Sequence, residues 1–177
     1  MENASKALIM AAEILVGVMI ISIGVYLFNV MGKYSSETTK QMEDTQIAQF
    51  NNQFLKFYGT TTSDSGETVP ISCTIHDIIG LANLAKQTNN ENGFEEAQQI
   101  SDSTYYIQID LQIGFTTYRN LETMSQKELI DILKNNDIIN EVDSEGKETP
   151  KVKYFKCETC TVGEVTKRVN YMKFVEF

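Results

Sequence analysis

Between Lys6 and Lys33 the chain carries a single charged side chain, Glu13. Those 26 residues would make roughly 39 Å of helix. A bilayer's hydrocarbon core is about 30 Å thick and is crossed by about 20 apolar residues, so the segment is long enough to span with tilt or with one end emerging. A secretory signal has a shorter apolar stretch, about 7–15 residues, closed by a small-x-small cleavage site. Here the run is longer, and "YLFNVMGKYSS" offers no A-x-A. Residues 1–32 are therefore read as a single transmembrane helix. The lysines flanking it, Lys6 on one side and Lys33 and Lys40 on the other, give only a weak positive-inside contrast. The few residues ahead of the apolar run leave almost nothing to translocate if they stay inside. The expected topology is a cytoplasmic N-terminus with the C-terminal domain outside the cell.

Nothing breaks the helical pattern after the membrane segment. Residues 34–58 lack Pro, and Gly32 is the only weak point. Ile47, Phe50, Phe54 and Phe57 recur at i, i+3, i+7 and i+10, one apolar stripe on a helix. Gly59 reads as the stop. Residues 33–58 are thus expected to continue the same helix in amphipathic form, making one helix over 4–58. Its Phe stripe would pack on a head domain, residues 59–177.

In that head, "GTTTSDSGETVP" (59–70) reads as a loop by its Thr, Ser, Gly and Pro content. Thr74 and Asp77 form a near capping box ahead of a helix over 74–88, with Ile75, Ile78, Ile79, Ala82 and Ala85 on one face. Residues 89–103 read as loop. "TYYIQIDLQIGF" (104–115) alternates in hydropathy and reads as a strand. Ser125 and Glu128 form a second capping box, starting a helix edged by Leu129, Ile132 and Leu133. "DSEGKETP" (143–150) reads as loop, and two β-rich runs, 151–158 and 164–177, read as an antiparallel hairpin joined by "TCTVG". The expected class is α+β, with a long N-terminal helix packed on a small antiparallel sheet.

The net charge is −9. Glu2, Lys6, Glu13 and Lys33 cancel within residues 1–33, so all of the excess falls on residues 34–177. An acidic soluble part argues against nucleic acid as a partner, because phosphate binding needs a basic surface. It also offers no polybasic patch for anionic lipid.

Glu13 lies roughly 10 Å along a helix from Lys6, inside the hydrocarbon but short of its centre. An ionised carboxylate there costs on the order of 2–3 kcal/mol on insertion scales, and such groups are normally paired or functional. Glu13 is therefore either neutralised by a proton, snorkelled to the head groups, or matched to a positive group on a neighbouring chain. Two copies of this helix, shifted along their axes, would bring Glu13 near an N-terminal amine or Lys6. Gly17 and Gly24, with Ala11, Ala12 and Ser22, supply small surfaces for close helix approach.

A short polar leader, a long apolar helix with a glutamate near its start, an amphipathic continuation and a small α+β head together resemble a type IV pilin or pilin-like subunit. The resemblance covers the architecture of the whole chain and its motif support lies in residues 1–30. It implies a structural subunit of a cell-surface filament or secretion-type assembly, in which the glutamate pairs with the N-terminal amine of a neighbouring subunit. Its partners would be the membrane and other copies or related subunits, met through the helix. The family's processing site has Gly before the cut and Phe-Thr-Leu-x-Glu after it, whereas this chain reads "SKALIMAAE". The alternative from a different class is a membrane-anchored extracellular binding module, for which the helix is only a tether.

Cys157 and Cys160 form a C-x-x-C, and Cys73 with His76, the only histidine, a C-x-x-H. Three fates follow: a disulfide among Cys73, Cys157 and Cys160, expected outside the cell; free core thiols; or a tetrahedral zinc set of Cys73, His76, Cys157 and Cys160 if the two pairs meet. The disulfide is the leading reading, and no cofactor is expected. The chain has no G-x-S-x-G, H-E-x-x-H or P-loop, so no catalytic residues are assigned and enzyme function is not expected. Asp143, Glu145, Glu91, Glu95 and Glu96 read as solvated loop charges.

Overall fold

The computed structural model describes residues 2–63, 66–142 and 148–177. Helix α1 runs unbroken over Glu2–Leu55. Two polar side chains within its apolar half, Ser22 and Asn29, bond back to its own backbone. The Ser22 hydroxyl donates to the Val18 carbonyl at 2.8 Å and the Asn29 amide to Val25 at 3.3 Å, so neither leaves a bare dipole for lipid. The helix closes as the N–H groups of Phe57 and Tyr58 turn back to the carbonyls of Phe54 and Leu55. Gly59, at φ 120°, then reverses the chain in a conformation that other residues rarely adopt.

The chain forms two compact units, Met1–Gln46 and Ile47–Phe177. The first is helix alone, with its large apolar side chains exposed along the whole apolar half. One helix near the N-terminus is thus long and apolar enough to cross a membrane. The second unit is α+β, and it includes the last turns of α1.

After α1 come β1 (Thr60–Thr62), β2 (Thr68–Pro70), β3 (Ser72–Thr74) and α2 (Ile75–Glu91). The sequence reads 59–70 as loop, but β1 and β2 pair there as a small hairpin. β4 (Gln108–Ile113), β5 (Thr116–Tyr118), a 3-10 turn (Leu121–Thr123) and α3 (Gln126–Asn136) follow. The chain ends in β6 (Ile138–Val142), β7 (Glu148–Val152), β8 (Tyr154–Val162) and β9 (Val169–Glu176). Both capping boxes are present. Thr74 and Asp77 exchange side-chain and backbone bonds at the start of α2, as do Ser125 and Glu128 at the start of α3.

The main sheet has the order β3-β8-β9-β4-β5. It is mixed, not purely antiparallel: β4 pairs with β9 in parallel, Gln108 opposite Tyr171 through Gln112 opposite Val175. The cause is α2. It carries the chain from β3, at one edge, across to β4 as a crossover, and crossovers join parallel strands. The β8–β9 hairpin fills the gap between them.

The 104–115 strand shortens to Gln108–Ile113 because Asn89 takes over the backbone ahead of it. Its side chain donates to the Ile107 carbonyl and accepts from the Ile107 N–H, both at 2.9 Å. The 151–158 strand divides at Lys153, so that β7 pairs back onto β6 while β8 joins the main sheet. The expected 143–150 loop is strand from Glu148 onward, and residues 143–147, with Asp143 and Glu145, lie outside the described residues. Residues 159–162, expected as connector, are strand. The turn falls at 163–168, shortening the last strand to Val169–Glu176.

Phe54 is fully buried with Ile75, Ile78, Phe155, Met172 and Phe174, and Phe50 and Phe57 pack against that cluster. The Phe stripe is core, as its spacing predicts. Asn51 fixes the register: its amide donates to the Lys167 carbonyl at 2.7 Å and accepts from the Val169 N–H at 2.9 Å. Arg168 lies over the rings of both Phe50 and Tyr105, 4.8 and 5.5 Å from their centroids.

Candidate functional site

In the first unit Glu13 is exposed and nothing among the described residues bonds its carboxylate. Lys6, the nearest cation, is engaged one turn back with Glu2 at 3.3 Å. At about 100° per residue, Lys6, Glu13, Gly17 and Gly24 fall within roughly 40° of one another around the helix axis. The lone carboxylate of the apolar stretch and two of its three glycines therefore share one face. A Cβ added at Gly17 or Gly24 would touch nothing within 4 Å, so neither glycine is required by packing inside the chain.

In the second unit the three cysteines are free thiols on one face of the main sheet. Cys73 sits opposite Phe155. Cys157 and Cys160 sit opposite the buried Phe174 and Met172, with a β-bulge between Cys157 and Thr159. Residues three apart normally face opposite sides of a strand; the extra residue of the bulge resets the alternation and turns both sulfurs to the core. Cys73 donates to the Phe155 carbonyl at 3.4 Å and Cys157 to the Thr159 carbonyl at 3.2 Å. His76 is not with them. It is largely exposed, its Nε2 3.3 Å from Asp137, and among the described residues no three His, Cys, Asp or Glu side chains are placed to hold a metal ion.

Burial pushes the thiol of Cys73 up to about 12, helped by the charge of Asp77. It pushes Cys157 to about 12 as well, with Cys160 and Cys73 adding to it, and Cys160 to about 11. The thiolate is the nucleophile, so these groups are protonated and slow at neutral pH. Alkylation at pH 8 is expected to run roughly a hundredfold slower on the folded chain than in urea, since each unit of pKa lowers the thiolate fraction about tenfold. Equal rates in the two states would show that the thiols are not held in the core.

A buried carboxylate that the sequence reading missed is Glu122, 2% exposed. It accepts from the Tyr106 hydroxyl at 2.6 Å and from the Ile109 N–H at 2.9 Å. In "NLETMS" nothing separates it from a surface charge. Tyr106, in the apolar run "TYYIQI", is the one sequence hint of its partner. Comparison of the chain with protein families, with curated proteins and with solved structures finds no match to any of them. Architecture and site geometry therefore carry the functional argument.

Proposed function

We propose that the chain is a pilin-like structural subunit of a cell-surface filament or secretion-type assembly, anchored by α1 with its head outside the membrane. The work proposed is mechanical, and Glu13 is its assembly residue. The observation that carries this is the shared face of Lys6, Glu13, Gly17 and Gly24 on a helix whose apolar surface is open along its length. The glycines allow close approach of a second helix, and the carboxylate then has a reason to be there. Paired with an amine of the neighbour, it fixes the axial offset between copies, and unpaired it penalises every other offset.

Glu13→Gln removes the charge and keeps the shape. Differently tagged copies co-expressed in a membrane should lose most of their co-purification, while alkaline extraction still finds the variant inserted. Undiminished co-purification would overturn the assembly role.

The second reading, a tethered extracellular binding module, draws support from Phe115, a fully exposed aromatic at the β4–β5 turn beside Gly114. On that reading an unrelated apolar helix in place of residues 7–32 would serve as well as the native one.

A further inference from the structure

The face of the main sheet turned away from the core holds a cleft of about 410 Å³, within the size range of small-molecule sites. Strand alternation builds it. On β4, Ile109 and Leu111 point into the core with Met172 and Phe174 of β9, so Gln108, Asp110 and Gln112 point the other way. Pairing sets Tyr171 opposite Gln108 and Lys173 opposite Asp110 on one side, and Thr117 of β5 opposite Gln112 on the other. These side chains line the cleft, with Arg119 just past β5 and Ile100 from the segment before β4.

The solvent face of a sheet is polar as a matter of course, but two groups set this cleft apart. Asp110 is buried, 6% exposed, on the side that faces water. Its Oδ1 accepts from the Gln108 amide at 2.9 Å and the Asn120 N–H at 3.0 Å, and its Oδ2 from the Tyr171 hydroxyl at 3.3 Å. The carboxylate is thus fixed in the cleft wall by neutral donors. Arg119 is exposed, and its guanidinium makes no hydrogen bond or ion pair among the described residues, although Asp110 lines the same cleft. Both charges converge on Tyr171: burial pushes its hydroxyl up to about 12, Asp110 adds to that and Arg119 opposes it. Lys173 is engaged with Glu158 at 2.6 Å. The Thr117 hydroxyl has no partner among the described residues. Gln108 and Gln112 each use only the amide nitrogen, on Asp110 and on the Gly114 carbonyl, so each side-chain oxygen is open to accept.

Donors and acceptors are therefore interleaved, and the charges balance, Arg119 and Lys173 set against Asp110 and Glu158. An anion drawn to Arg119 meets Asp110 as well, and a cation meets the reverse. A neutral hydroxyl suits both, because it donates and accepts at once, and its bonds to ionised groups are the stronger kind. The Tyr171 ring and the Ile100 side chain add apolar wall for a C–H face. We infer that this cleft binds a neutral saccharide of monosaccharide or disaccharide size. Arg119 donates to its hydroxyls, Asp110 Oδ2 and the glutamine oxygens accept from them, and Thr117 does either. Saccharide binding goes beyond the filament-subunit reading and needs neither Glu13 nor a second copy.

The test is a titration of the isotope-labelled full chain in micelles of a sugar-free detergent, read by NMR at the backbone amides and at the side-chain N–H groups of Gln108, Gln112 and Arg119. The probes are glucose, galactose, mannose, N-acetylglucosamine and lactose, with glucuronate and inorganic phosphate as charged comparators. At least one neutral sugar should bind saturably, with a Kd on the order of 1 mM for a ligand of about a dozen non-hydrogen atoms. It should move the cleft signals and leave those of α1 in place. Glucuronate should bind no tighter than glucose. Arg119→Ala should weaken the sugar about ten- to a hundredfold, the loss of charge-assisted bonds. Arg119 is exposed, so the fold should stand, and unchanged Tyr171 and Asn120 amide signals in the variant verify it. No saturable shift with any neutral sugar, tighter binding of glucuronate or phosphate, shifts that fall outside the cleft, or an affinity indifferent to Arg119→Ala would each overturn the assignment.

Discussion

Phe54→Ala should destabilise the head by about 3–5 kcal/mol, the usual cost of emptying a buried Phe site. Phe54 has no exposed surface and packs 5.2 Å from the Phe50 ring within the same cluster as Phe155 and Phe174. The large effect is informative because the residue belongs to α1, whose preceding residues, up to Gln46, form the other compact unit. If α1 were a tether ending where the head begins, truncating Phe54 would barely register. Urea unfolding of the full chain in detergent, followed through head fluorescence, measures the difference. A loss below about 1 kcal/mol, the range of ordinary surface changes, would mean that the last turns of α1 are not part of the core.

The second large effect is at Glu122. Glu122→Ala leaves the Tyr106 hydroxyl and the Ile109 N–H without their acceptor, at about 1–3 kcal/mol for each orphaned donor. The conservative Glu122→Gln tests the charge itself. Burial raises the Glu122 carboxyl above its ordinary value of 4.5, against the opposing pull of the bonds from Tyr106 and Ile109. A raised folded value means that the folded state holds the proton more tightly than the unfolded one. The resulting stability is fully present below about 4.5 and is lost as pH rises through the folded value. Wild type should therefore lose stability relative to Glu122→Gln as pH climbs from 4 towards 8. Urea midpoints for the pair across that range measure it. A flat difference, or one that grows in favour of wild type, would show that desolvation does not dominate at this carboxylate.

The helices were the legible part of this fold. Capping boxes at Thr74 and Ser125 mark starts because the bonds are local, and the Phe stripe marks a buried face because its period is helical. The strands were less so. Residues 104–107 alternate as well as 108–113 do, yet a side chain from α2, Asn89, supplies the bonds a neighbouring strand would have made. The parallel β4–β9 pair was hidden for a similar reason: strand order depends on where α2 crosses, and no residue in either strand encodes that. At the thiols, the sequence reading put Cys157 in a strand and Cys160 in the connector after it, whereas both lie on β8 and the bulge at Glu158 turns them to one face. In the apolar segment the odd carboxylate was visible at once, and its alignment with Gly17 and Gly24 follows from counting.

The placement of β9 has a consequence for the life of the chain before it is folded. The strand made last among those described is the middle of the sheet, joining β8 on one side to β4 on the other. Until it arrives, β3 and β4 have only their edge partners, and the inner faces of α2 and α3 have no continuous floor. The contacts that complete the head span long stretches of sequence, more than 60 residues for β4 with β9 and more than 80 for β3 with β8, a topology that folds slowly. A head built this way is still open while α1 is already synthesised. The head locks shut only when β9 slots between β8 and β4.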